Sequence, residues 1–154
     1  MPVTSPIALP AINTLIQIGT GASPEAYVTV ASVNNITGPG MSGQVVDVTS
    51  MSTGNPWRQK IVTLLDGGDI SFDAFWQPML ASHQNLLSLF VNRGANGVAG
   101  APIDMRLVFP DQNASAYVFQ GFVSKCSLTE AVADVVKAAV ALTITGQVSG
   151  PGFA

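Results

Sequence analysis

His83 is the only histidine in the chain and Cys126 the only cysteine, so most nucleophilic or metal chemistry would have to pass through one of them. A Ser or Cys nucleophile needs a base beside it. His83 falls on the apolar stripe of a predicted helix, where a packed histidine is the ordinary occupant. Cys126 lies within a predicted strand with no second Cys or His nearby in sequence, so it reads as a buried, inert thiol and not as a metal ligand. Gly38, Gly40 and Gly43 have the G-x-G-x-x-G spacing, but a dinucleotide fingerprint must open a helix whose N-terminus receives the pyrophosphate. A β-prone run, Val45 to Thr49, follows instead, and the glycines read as a turn that needs unusual backbone angles. Asp66, Asp69 and Asp73 form a loose carboxylate cluster without calcium-loop spacing, which solvated hairpin carboxylates explain as well. Trp76, on the apolar side of a predicted strand, reads as core. Trp57 stands in a polar, turn-rich stretch with no obvious core of its own, and an intermolecular contact is as good a reading for it. No catalytic residue, cofactor or metal site is expected.

The elements that carry these residues belong to a chain of 154 residues, about one domain in size. Charged residues are 10% of the sequence, against about 25% in an ordinary globular protein. A monomer relies on surface charge for solubility, so a chain this poor in charge is expected to hide much of its surface against partners. The net charge of −3 and the scatter of Arg58, Lys60, Arg93, Arg106, Lys125 and Lys137 argue against binding nucleic acid through phosphate neutralisation. Met1 to Ile12 is apolar but has no Lys or Arg and is broken by Pro2, Pro6 and Pro10, so it reads as an extended arm and not a signal peptide. No apolar run approaches the ~18 residues of a membrane span. A soluble protein made in the cytoplasm, with no membrane partner, is the expectation.

Asn13 to Gly19, Tyr27 to Ile36, Gly43 to Thr49, Lys60 to Leu65 and Asp69 to Trp76 are short β-prone runs separated by Gly, Pro, Ser and Asn. Gly67 and Gly68 between Asp66 and Asp69 supply the positive φ of a tight turn, so the runs on either side are expected to pair as a hairpin. From Pro78 to Arg93 the period changes: Met79, Leu80, His83, Leu86, Leu87 and Phe90 recur at three and four residues, predicting a helix that covers the sheet. Three more strands are predicted at Ile103 to Phe109, Ala116 to Leu128 and Asp134 to Val148. In the last, Val136, Ala138, Val140, Leu142 and Ile144 form the apolar face. The fold class is mainly β: a small antiparallel β-sandwich or barrel with one flanking helix, a single domain over 1–154, an arm at 1–12 and a Gly/Pro tail at 149–154.

Three stretches together resemble a known family. They are Ser32-Val33-Asn34-Asn35-Ile36-Thr37-Gly38-Pro39, then Val45-Val46-Asp47-Val48-Thr49 before a long polar loop, then Leu65-Asp66-Gly67-Gly68-Asp69-Ile70-Ser71-Phe72. With Gly121-Phe122-Val123-Ser124-Lys125, Asp134-Val135-Val136-Lys137-Ala138 and Leu142-Thr143-Ile144-Thr145-Gly146, they are similar to the tail tube proteins of long-tailed siphophages. The type VI secretion tube and gene transfer agents share that architecture. The resemblance implies hexameric rings stacked into a hollow conduit in a virion tail, assembled in the host cytoplasm. It implies partners in other copies of the chain and in tape measure, tail terminator and baseplate proteins, with genomic DNA passing unbound. It also implies that the loop Ser50, Met51, Ser52, Thr53, Gly54, Asn55, Pro56, Trp57, Arg58 and Gln59 contacts the next ring.

If six subunits each give four strands to one barrel, 24 strands spaced ~4.8 Å and tilted ~40° enclose a lumen of roughly 35–40 Å, wide enough for a duplex. Six copies at −3 sum to −18 per ring, and an acidic wall repels phosphates. Asp47, Asp69 and Asp73, on strands whose alternate positions are mostly apolar, are the candidate lumen-facing acids. A small β-sandwich binding module, such as a carbohydrate-binding accessory domain, is the alternative. It would need aromatics or carboxylates converging on one site.

Overall fold

A computed structural model describes residues 8–52 and 54–153. Residues 1–7 of the expected arm, Thr53 of the expected loop and Ala154 of the expected tail lie outside the described residues. The strands are β1 (Leu15–Gly19), β2 (Tyr27–Thr29), β3 (Val33–Thr37), β4 (Ser42–Asp47), β5 (Lys60–Asp66), β6 (Asp69–Phe75), β7 (Ile103–Val108), β8 (Ala116–Thr129) and β9 (Lys137–Ser149), with helix α1 (Ala81–Val91) between β6 and β7. Seven strands form one antiparallel sheet in the order β2-β1-β7-β8-β9-β6-β3, and β4 pairs only with β5.

Alternation decides which face of the sheet is buried. In β6, Ile70, Phe72 and Ala74 are buried, and in β9 so are Ala138, Val140, Leu142 and Ile144, as a period of two requires. β8 and β9 are long enough to serve two panels. The first panel is β3, β6, the first half of β9 and Phe122–Thr129 of β8. The second is β2, β1, β7, the first half of β8 and the end of β9. Register shifts after Val118 and Val123 mark where the shared strands bend. Gly121 sits between these shifts, where a Cβ would lie 2.2 Å from the Thr143 carbonyl oxygen. One core joins the panels: Ile16, Ile18, Met105 and Leu107 from the second pack in the same cluster as Phe72 and Val140 from the first.

Three expectations need correction. The run Tyr27 to Ile36 is two strands at opposite margins of the sheet, because Ser32 takes a left-handed φ of 60° between them. The Gly67-Gly68 turn does not close a hairpin: β5 pairs with β4, while β6 pairs with β3 and β9. Gly68 has φ 68° and its backbone lies so close to Gly40 that a Cβ would stand 2.2 Å from the Gly40 carbonyl oxygen. The positive φ is therefore used to cross between two sheets and not to reverse within one. Finally, α1 begins three residues after Pro78, and the chain leaves it at Arg93, itself left-handed with φ 57°.

α1 also buries less of its stripe than the spacing implied. His83 and Leu86 are its buried residues. The His83 ring stacks on Trp76 with centroids 4.8 Å apart. Its Nδ1 accepts the Gln77 backbone N–H at 3.0 Å, so the proton sits on Nε2, which donates to the Ala31 carbonyl at 2.9 Å. The histidine thus ties the helix to both the β2–β3 and the β6–α1 connections. Leu87 is 45% exposed, whereas Leu86 is 1% exposed. Leu87→Asp, which the spacing would make disruptive, is therefore expected to change stability by less than ~1 kcal/mol, while Leu86→Ala costs about 2–5 kcal/mol. Chemical denaturation of the two variants checks the assignment, and comparable losses for both would contradict it.

Candidate assembly surfaces

Three surfaces of the molecule stand out as unfinished. The first is the β4–β5 hairpin, which pairs from Ser42 opposite Asp66 to Asp47 opposite Lys60 with a register shift between Gly43 and Val45. None of its strand residues is buried. Val45 and Val46 are consecutive, as are Ile61 with Val62 and Leu64 with Leu65, so both faces of the hairpin carry apolar side chains. Leu65 is 83% exposed and Trp57, in the connecting loop, 76%. An isolated two-stranded hairpin is marginal in water, and an apolar one of this extent marks a surface that a partner covers. Its tip is pinned at the base: Val48 N–H donates to Gln59 O at 2.9 Å, and Gln59 N–H to Thr49 Oγ1 at 2.9 Å. Asp47 accepts from both the hydroxyl and the N–H of Thr49, which hold its carboxyl below the usual range, the hydroxyl contributing more.

The second surface is the outer face of the first panel. Asp69, Ser71 and Asp73 of β6 stand opposite Thr143, Ala141 and Ala139 of β9, and Asp73 faces Asn35 of β3. Ser127 and Lys125 of β8 continue the rows beside Ala139 and Ala141. This face is mostly small and polar, and it also carries Phe75 opposite Lys137 and Phe122 opposite Thr143. It carries Asp69 and Asp73 against Lys125 and Lys137, and Lys137 Nζ is held 2.7 Å from Asp134. Of the three candidate acids, Asp69 and Asp73 share this face, and Asp47 belongs to the separate hairpin sheet.

The third surface is a pair of strand margins. Among the described residues β3 pairs only with β6, and Phe122–Thr129 of β8 only with β9, so the four-stranded panel has an open edge on each side. Open edges are templates for further strands.

The residues singled out for chemistry do not converge. His83 is consumed by the helix contacts described above, and burial pushes the Cys126 thiol above its ordinary range, away from the reactive thiolate. Asp66 closes β5 and accepts the Gly68 N–H at 2.9 Å, on another sheet from Asp69 and Asp73. No group of three or more His, Cys, Asp or Glu side chains able to hold a metal occurs among the described residues. No described helix is long and apolar enough to cross a membrane. The sequence singled out the loop 50–59, and the strands on either side of it, Ser42–Asp47 and Lys60–Asp66, are as exposed as the loop. The signal was present: consecutive apolar pairs in place of alternation.

The comparisons agree with an assembling molecule. A model of the family described as lambda phage tail tube protein, TTP, matches residues 15–150. No curated protein matches the sequence. Among solved structures, the tail of an empty GTA particle superposes with TM-score 0.71 at 14% identity, covering 94% of this chain and 100% of that one. The SPP1 tail tube gives 0.67 at 11% identity, covering 93% and 80%. The PVC sheath-tube complex of an extracellular contractile injection system gives 0.67 at 11% identity, covering 94% and 92%. At such identities these likenesses establish the fold.

Proposed function

Since this chain belongs to the lambda phage tail tube protein family and is a structural subunit of a tail tube, we propose that six copies close into a ring by joining their four-stranded panels edge to edge. Phe122–Thr129 of one copy pairs with β3 of the next. The panel's two open edges are the observation that carries this reading, because a strand edge left bare in a subunit invites pairing and a closed barrel removes every edge. The GTA tail, similar in fold, is described with C6 symmetry, which supports six. The outer panel face becomes the lumen wall, with Asp69 and Asp73 among its lining residues. Ser, Thr and Ala make up much of this wall, with Phe75 and Phe122 beside them, and DNA passes along it without specific binding. Rings stack through the β4–β5 arm and its loop, Ser50 to Gln59. The chain acts without catalysis, assembles in the host cytoplasm, and meets tape measure, terminator and baseplate proteins in the tail.

Hydrogen exchange tests the edge pairing. In assembled tubes the amides of Val33–Thr37 and Phe122–Thr129 are expected to become as protected as those of the central strand β6. Tyr27–Thr29, at the other margin of the large sheet, should keep exchanging. Rapid exchange along either panel edge in intact tubes would show that the barrel does not continue from copy to copy.

A further inference from the structure

β6 and β9 define two ends of the molecule. Asp69 pairs with Thr143 at one end and Phe75 with Lys137 at the other, about 20 Å apart at ~3.3 Å per residue. The arm leaves the first end through Gly67 and Gly68. The connection between β8 and β9, residues 130–136, lies at the second. There Val132 is fully exposed, and Val135, Val136 and, near the end of β8, Leu128 are also exposed. This apolar cluster is fixed to the fold: the Val136 carbonyl accepts the Trp76 N–H at 2.9 Å, and Asp134 N–H donates to Ala131 O at 3.1 Å.

Resting on the tube-subunit reading, we propose that this cluster is the seat for the β4–β5 arm of a second copy, docked head to tail. The uncovered apolar side chains of the arm amount to on the order of 1,000 Å², above the ~800 Å² per partner of a standard interface. That is more than a lone subunit ordinarily leaves bare. The charges agree in sign. Around its tip the arm has Arg58 and Lys60 against Asp47, two positive and one negative. The seat has Glu130 and Asp134 against Lys137, two negative and one positive. Arm and seat lie at opposite ends of one chain, so the contact is heterologous and repeats without closing on itself, which is the geometry of stacking.

Val132→Asp with Val135→Asp tests the seat, since both side chains are exposed in the subunit and the monomer should melt as the parent does. Tube yield, counted by electron microscopy, is expected to fall at least tenfold. In a Cys126→Ser background, Gly54→Cys with Ala133→Cys, exposed positions that leave Trp57 and Val132 in place, is expected to give, on oxidation of assembled tails, a ladder of linked chains extending past the dimer. Normal tubes from the double-Asp protein would overturn the seat, and so would linkage that stops at dimers or fails in intact tails. In each of those outcomes tubes still form, so the subunit reading survives and only the docking site is lost.

Discussion

Excision of Ser52 to Trp57 is expected to abolish tube formation while leaving the subunit folded. None of its described residues belongs to the core cluster, and their bonds are local: Trp57 N–H to Asn55 Oδ1 at 3.1 Å, and Ser50 to Ser52 at 2.8 Å between hydroxyls. Removing it should therefore shift monomer stability by no more than the ~0.5 kcal/mol typical of surface changes. Assembly is a different matter. Trp57 is the largest exposed apolar group of the arm, and aromatic anchors of this kind carry a disproportionate share of interface energy, ~2 kcal/mol or more each. Six copies per ring multiply the loss, so the transition from tubes to free subunits should be complete at concentrations where the parent assembles fully. Sedimentation together with a melting curve reads both halves of the prediction. Tubes of normal length from the shortened chain would remove the arm from the stacking contact.

The second large effect concerns the wall. Asp69→Lys with Asp73→Lys changes the outer panel face by +4 per copy, and by +24 in a ring of six. Neither carboxylate belongs to an ion pair among the described residues, and their cross-strand neighbours Thr143, Ala139 and Asn35 are small enough to leave room for lysine. Tails should therefore still assemble. Passing DNA would meet rings of positive charge and release counterions on contact, and each phosphate engaged adds ~0.9 to the salt slope of binding. Genome delivery is expected to slow by at least tenfold at low salt and to recover as salt rises. Unchanged kinetics at both extremes, in tails of normal appearance, would show that the acids do not face the DNA.

The parts of the fold that a single chain stabilises were readable in its sequence. β6 and β9 alternate because one face of each meets the core, and period two registers that directly. The helix was readable in kind but not in orientation: Leu87 and Phe90 are as apolar as Leu86, and a stripe broader than the buried face cannot say which edge of it is covered. The Gly67-Gly68 turn misled for a related reason. Positive φ states that the chain must turn sharply, and it does not name the strand that will be met afterwards. Here the partner of β5 lies before it, across the loop 48–59. The arm was half legible, since the loop and Trp57 stood out as lacking a core. Its strands looked like ordinary core strands, because apolar β-prone residues read alike whether or not their own chain covers them. The proposed seat at residues 130–136 left no sequence signal, being a short connection rich in Ala and Val whose place at the end of β6 and β9 away from the arm is seen only in the fold.

The antiparallel run of β6 and β9 sends the arm out of one end of the molecule and the β8–β9 connection out of the other. A column of such molecules has a direction, like an arrow, and its two extremities are chemically unlike. On the docking proposed above, one extremity ends in six arms with nothing to hold, the other in six empty seats. A single plug cannot stop both: one must imitate a seat and the other an arm. Growth from a starter that offers only one of these can proceed in one direction alone, so the choice of starter also decides which way the finished tube points.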